Sequence, residues 1–197
     1  MVLAISIDSP FTHKVWQEGE LSKMVPGGLP YPMLSDTGGR VGELYGVYDE
    51  ANGVDIRGRF LIDPDGIIQA MTGILNGTCN YILSKISDDK SPFETALKEA
   101  QMNGFAEADP TLDIEGHDTA HKLAVIASLA FGSPINLKDI YVEGITPITL
   151  LDIELAQQFG YRIKLLAIGK SRDGAVEARV HPTMIPFSNP LSNVNGS

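Results

Sequence analysis

The stretch Gly104-Phe-Ala-Glu-Ala-Asp-Pro-Thr-Leu-Asp-Ile-Glu-Gly-His-Asp-Thr-Ala-His-Lys-Leu123 decides how this 197-residue chain is read. Five carboxylates, Glu107, Asp109, Asp113, Glu115 and Asp118, precede or open what the spacing predicts to be the longest helix, Gly116 to Phe131. Inside it Ala120, Leu123, Ala124, Ala127 and Ala130 make a narrow stripe of small residues that lets a neighbour approach closely, and Gly132 with Pro134 ends it. Carboxylates just before a helix favour its positive N-terminal end. Asp118 and Lys122 are four apart, so on a helix they share a face. From spacing alone that pair reads either as a solvated surface contact, worth about 0.3–0.5 kcal/mol, or as part of a polar site. His117 and His121 are also four apart, a metal-compatible spacing for which the sequence places no third ligand.

Upstream, Ser91 as N-cap, Pro92 at the first helical position and Glu94 three residues after the cap predict a helix over Pro92 to Met102, stopped by Asn103-Gly104. Another helix starts near Asn80 and buries Tyr81, Ile82 and Leu83, after the strand-end loop Asn76-Gly77-Thr78. Downstream, Ile148 to Phe159 reads as a helix closed by Gly160. Tyr161 to Ile168 and Ala175 to Pro182 pair as strands across Ser171-Arg172-Asp173-Gly174.

The first third has a different texture. Val2 to Ile7 reads as a buried strand ending at Asp8-Ser9-Pro10, Thr12 to Leu21 as a helix, Tyr31 to Leu34 as a strand and Arg40 to Val47 as a short helix. Asp55 to Ile62 and Gly66 to Ala70 flank Asp63-Pro64-Asp65-Gly66 as a hairpin, giving the order β-α-β-α-β-β. No linker follows: the run Ile67 to Ala70 passes straight into Thr72 to Leu75.

A hydrophobic content of 43% suits a chain that buries a real core, and a net charge of −10 without a basic stripe argues against nucleic-acid and membrane partners. The apolar runs fall short of a membrane span and no leader pattern opens the chain, so a cytoplasmic protein is expected. Cys79 is the only cysteine, which excludes an internal disulfide and a CxxC pair.

The runs Gly73-Ile-Leu-Asn-Gly-Thr-Cys-Asn-Tyr-Ile-Leu83, Gly104 to Leu123, Gly160-Tyr-Arg-Ile-Lys-Leu-Leu166 and Val180-His-Pro-Thr183 together resemble bacterial homoserine dehydrogenases, in the family's order and spacing, over 72–197. The resemblance implies an α+β fold: a homoserine-dehydrogenase-like catalytic domain with a mixed sheet covered by helices. It also implies NAD(P)-dependent oxidation of homoserine to aspartate semialdehyde, in threonine and methionine biosynthesis, by a homodimer. Glu107, Asp113 and Asp118 match the acidic residues that hold the substrate's amino and hydroxyl groups, and Lys122, with Asp118, matches the catalytic position. An ammonium-bearing substrate wants carboxylates, and hydride loss from a carbinol carbon needs a group to manage the hydroxyl proton. The family's nucleotide-binding domain, with its Gly-rich turn, is expected ahead of Gly73, yet no GxGxxG occurs in this sequence. The family pattern also continues past Gly196.

In front stand Val2-Leu-Ala-Ile-Ser-Ile-Asp-Ser-Pro-Phe-Thr-His-Lys-Val-Trp16, Tyr31-Pro-Met-Leu-Ser-Asp36, Leu44-Tyr-Gly-Val47 and Arg57-Gly-Arg-Phe-Leu-Ile-Asp-Pro-Asp-Gly-Ile-Ile68. They resemble the later part of two-cysteine peroxiredoxins, which implies a partial thioredoxin-like segment over 1–71. Arg57 matches the arginine that polarises the peroxide in that family, here vestigial, because the peroxidatic cysteine belongs to a segment the sequence does not contain. Cys79 lies in the dehydrogenase-like motif and reads as a small packed side chain. The expectation is a chimera. Its best label is a homoserine dehydrogenase impaired by lack of the cofactor domain; a thiol peroxidase is disfavoured, and a non-catalytic fusion is the third reading.

Overall fold

The structure, a computed structural model, describes residues 3–24, 28–49, 53–55 and 58–195. They divide into two compact units, Met1–Ile56 and Arg57–Ser197.

In the first unit β1 (Ala4–Ser6) pairs in parallel with β2 (Met33–Ser35), placing Ile5 opposite Leu34. Between them run α1 (Pro10–Trp16), a π-helical turn (Gln17–Leu21) and α2 (Ser22–Met24), so the helical segment extends past the Leu21 expected from sequence. Pro10 opens α1, where its missing N–H costs nothing, and Ser9 caps it by accepting from the Thr12 N–H at 3.1 Å. Buried Asp36 organises α3 (Arg40–Leu44): its Oδ2 accepts the N–H groups of Val41 and Gly42 at 2.8 and 2.9 Å. A short antiparallel pair, β3 (Tyr48–Asp49) with β4 (Val54–Asp55), was not anticipated; strands of two residues leave no period to read.

The second unit is built on a five-stranded mixed sheet in the order β5-β6-β8-β9-β7. Strands β5 (Gly58–Ile62) and β6 (Ile68–Gly73) form the expected hairpin around Asp63, whose Oδ1 accepts the N–H groups of Asp65 and Ile67 at 3.0 and 2.9 Å. Strand β6 runs unbroken across the Met71–Thr72 step and pairs antiparallel with β8 (Tyr161–Arg172), Met71 opposite Gly169 and Thr72 opposite Ile168. Residues 58–71, grouped with the front segment on sequence, therefore lie in this sheet. The long hairpin of β8 with β9 (Ala175–Pro186) turns at Asp173 and Gly174, both at positive φ, the backbone that an Asp-Gly step tolerates. Both strands run longer than expected. β7 (Tyr141–Val142) adds to β9 in parallel.

The helices are α4 (Gly77–Asp89), α5 (Phe93–Met102), the short α6 (Thr111–Ile114), α7 (His117–Phe131) and α8 (Leu150–Gln158). α4, α7 and α8 pack against β8, which explains the run of buried residues Ile163 to Ala167. Ser91 does not cap α5: Pro92 occupies the N-cap position and no side chain bonds there. The narrow stripe on α7 does its expected job, with Ala120, Leu123 and Ala127 fully buried. Thr149 and Asp152 form a reciprocal capping box on α8. Lys164 is completely buried in β8, its ammonium donating to Asn80 Oδ1 at 2.8 Å, Ser84 Oγ at 2.9 Å and Val194 O at 2.6 Å. These bonds tie the strand to α4 and to the C-terminal segment.

Candidate functional site

Three loops or helix starts converge where β6 ends. The first is Leu75-Asn76, which leads from β6 into α4. The second is α6, which carries Asp113, and the third is the start of α7, which carries Asp118 in its first turn and Lys122 in its second. Gly116 joins α6 to α7 at φ +83°, a conformation that L side chains rarely adopt. The joint is clamped from behind: the Ile145 N–H donates to Ile114 O at 2.7 Å, and Thr146 Oγ1 donates to Glu115 Oε1 at 3.0 Å. Gly144 fits flush against this backbone, since a Cβ there would lie 2.5 Å from Glu115 Cα.

At the centre is Asn76, 6% exposed. Its Oδ1 accepts the Cys79 N–H at 2.8 Å and caps α4. That bond fixes which end of the amide points inward, because only Nδ2 can donate. Nδ2 donates to Asp113 Oδ1 at 2.6 Å and to Asp118 Oδ2 at 2.9 Å. The ammonium of Lys122 lies 2.8 Å from Asp118 Oδ2 and 3.2 Å from Leu75 O. One amide thus links two carboxylates that would repel each other unaided, and a lysine balances part of their charge. The side chains of Asp118 and Lys122 are 30% and 44% exposed, so the pair faces solvent and is open to a ligand.

The structure brings Asp118 and Lys122 together, as their i, i+4 spacing anticipated, and links Asp113 to them through Asn76. Glu107 lies on the exposed loop between α5 and α6, where its backbone carbonyl accepts from Gln101 Nε2 at 3.0 Å; among the described residues no side-chain bond joins it to the carboxylate pair. His117 and His121 are exposed on α7, and among the described residues no cluster of three or more metal-binding side chains occurs. Arg57 lies outside the described residues. Asn76 was passed over in sequence as part of a strand-end loop; an Asn immediately before a helix is a capping signal, and that signal could have singled it out.

Cys79 is completely buried, and its Sγ donates to Asp113 O at 3.1 Å. Burial first, and then the charges of Asp113 and Asp118, push its thiol far above the ordinary range, so it stays protonated and serves as packing.

A homoserine dehydrogenase family profile matches residues 63–197. The chain belongs to the homoserine dehydrogenase family. An AhpC/TSA family profile matches residues 1–71, so both profiles claim 63–71, the hairpin turn and the front of β6. The homoserine dehydrogenase of Neisseria gonorrhoeae is 50% identical over 129 residues, 66% of this chain and 30% of that protein. That of Bacillus subtilis is 48% identical over 128 residues, 65% of this chain and 30% of that enzyme. The crystal structure of Staphylococcus aureus homoserine dehydrogenase at pH 7.5 superposes with a TM-score of 0.65 at 46% identity, covering 66% of this chain and 32% of that one. The enzyme from Thiobacillus denitrificans gives a TM-score of 0.65 at 35% identity, over 98% of this chain and 42% of that one. The chain thus spans about 30% of the length of the curated homoserine dehydrogenases it matches. The α+β architecture and the partial thioredoxin-like front segment, with its small parallel sheet, stand as read.

The homoserine dehydrogenase family is NAD(P)-dependent, and such a cofactor needs a dinucleotide cradle. A parallel β-α-β crossover runs from β1 to β2 and turns at Asp8-Ser9-Pro10. A pyrophosphate needs glycine-backed N–H groups there; this turn offers a carboxylate and a proline without an N–H. It does not fit. Among the described residues no helix is long and apolar enough to cross a membrane.

Proposed function

We propose that the Asn76–Asp113–Asp118–Lys122 cluster is the substrate half of a homoserine dehydrogenase, a site that binds homoserine and holds it for oxidation at its hydroxyl. The observation that carries the reading is the carboxylate pair beside an ammonium at a solvent-accessible helix start. Among the described residues no protein donor bonds Asp113 Oδ2 or Asp118 Oδ1, which leaves an oxygen on each to receive the substrate's ammonium. Glu107, on the exposed loop between α5 and α6, is the third carboxylate of the proposed set. Lys122, held by Asp118 and the Leu75 carbonyl, presents its remaining N–H to the hydroxyl oxygen and steadies the negative charge that grows there as the hydroxyl proton passes to solvent.

A mutant of a hyperthermophilic archaeal homoserine dehydrogenase has been solved with NADPH, and oxidation of homoserine would hand its hydride to the oxidised form of such a cofactor. Among the described residues the β1-to-β2 turn offers no cradle for it, so the chemistry proposed for this chain is binding and orientation, with turnover by this chain alone absent or very slow. The thiol peroxidase reading has no support in the site, where the single thiol is buried and held protonated.

The test is calorimetric titration of the full chain with L-homoserine. Saturable binding that weakens at least tenfold in both Asp118→Asn and Lys122→Ala supports the site. Binding unchanged in both variants sinks the assignment, and no binding to the parent chain leaves the non-catalytic reading standing.

A further inference from the structure

Asn76 makes three contacts at once, and each constrains the others. Its Oδ1 is committed to the Cys79 N–H, and its Nδ2 spans Asp113 and Asp118. The residue before it, Leu75, accepts the Lys122 ammonium through its carbonyl. Both members of the Asp118–Lys122 pair are therefore gripped by two consecutive residues at the end of β6, while the second carboxylate, on a different helix, is gripped by the same amide nitrogen. Among the described residues no other side chain of the cluster hydrogen-bonds both carboxylates.

We infer that Asn76 is the positioning residue of this site: its amide sets the spacing and orientation of Asp113 and Asp118 so that an ammonium-bearing small molecule meets them as a matched pair. The inference rests on the reading under Proposed function for the ligand, but the geometry it invokes exists without one. A carboxamide is the side chain of this size that can do both jobs, since the cap requires an acceptor and the bridge requires two donors on the opposite atom. A serine keeps the acceptor but has a single donor. An aspartate keeps the acceptor and sets a third carboxylate against the other two, where like charges repel. Serine and aspartate are both good N-caps, so these two substitutions separate the helix-capping role of Asn76 from its bridging role.

The experiment uses the full chain in three forms, the parent, Asn76→Ser and Asn76→Asp, with two readouts besides thermal stability. The first is L-homoserine affinity by calorimetry. The second is the side-chain amide 1H–15N signal pair of Asn76 in the parent, assigned by triple-resonance correlation to its own backbone, and followed in Asp113→Asn and Asp118→Asn. The expected result is a melting temperature little changed in the two Asn76 variants, affinity lowered at least tenfold in Asn76→Ser and further in Asn76→Asp, and both amide proton signals moving when either carboxylate is replaced. Affinity equal to the parent in Asn76→Ser overturns the positioning role while leaving the homoserine reading intact. Amide signals that move while the parent chain binds no homoserine uphold the bridge and remove the functional reading instead. Amide signals indifferent to both aspartates overturn the bridge outright, and they do so even if the Asn76 variants misfold.

Discussion

Deleting residues 1–56 and deleting residues 1–71 should have opposite outcomes, although only the second cut follows the boundary that sequence resemblance suggests. The first deletion removes a separate compact unit and leaves the five-stranded sheet whole. The second removes β5 entirely and takes β6 back to Thr72-Gly73. Met71, 4% exposed, then vanishes from its place beside Phe131 and Gly169, where a Cβ added to Gly169 would lie 2.9 Å from Met71 Cγ. Loss of a buried Met side chain costs about 2–5 kcal/mol. The ladder positions Ala70–Lys170 and Met71–Gly169 go with it, at about 1 kcal/mol for each hydrogen bond lost. A loss of about 4–7 kcal/mol falls on a domain whose whole stability is about 5–15 kcal/mol. Urea unfolding followed by circular dichroism should therefore show a cooperative transition for 57–197, with a midpoint close to the second transition of the full chain. The 72–197 fragment should show a much lower midpoint or no transition. Equal midpoints for the two fragments would refute the reasoning, because β5 and the front of β6 would then contribute nothing to the sheet.

Gly144→Ala should destabilise the second unit by about 1–3 kcal/mol, since the new Cβ meets backbone at Ile114 and Glu115 that cannot swing aside; denaturant titration checks it. Thr149→Ala, which breaks the capping box of α8, should cost about 1 kcal/mol in the same assay, with Thr149→Ser recovering most of it. Cys79 should make stability pH-dependent on the alkaline side. Its folded thiol titrates far above the ordinary 9.0, so its contribution is complete below pH 9 and falls as the unfolded chain, but not the fold, loses the proton. The slope is up to about 1.4 kcal/mol per pH unit, and Cys79→Ala should flatten the unfolding free energy between pH 9 and pH 10.5 relative to the parent, whatever constant offset the lost packing adds. Iodoacetamide should likewise leave the native chain unmodified at pH 8 and label it once urea unfolds it.

Much of this was written in the sequence because it was local. The i, i+4 spacing of Asp118 and Lys122 needs only a helix to become a 2.8 Å contact, and the small-residue stripe of α7 needs only a neighbour. The Asp173-Gly174 step carries its own turn geometry. What stayed hidden depends on contacts distant in sequence. Nothing near Asn76 announces that its amide will meet carboxylates at positions 113 and 118, and nothing near Lys164 distinguishes it from a surface lysine of an alternating strand. The Ser91 cap failed for the opposite reason: a correct local signal lost to a backbone path in which Pro92 takes the cap position.

The strand β6 shows why a sequence boundary and a structural one can part company. A β-strand is specified by its alternation and by the partner it meets, and Ile68-Gln-Ala-Met-Thr-Gly73 supplies a small or apolar side chain wherever β8 and α7 require one. The AhpC/TSA profile ends at residue 71 and the homoserine dehydrogenase profile begins at 63, so the segment satisfies both patterns. Its far end delivers Leu75 and Asn76, the two residues that grip Lys122, Asp118 and Asp113. The geometry of the candidate site therefore hangs on a strand whose first half resembles another family. A substitution such as Met71→Ala, remote from every carboxylate, should consequently loosen homoserine binding as well as the fold, whereas an equally destabilising change in α8 should loosen the fold alone. If calorimetry at a temperature where all three proteins remain folded shows the same affinity for both variants and the parent, β6 does not transmit its register to the site, and Asn76 must be held by α4 instead.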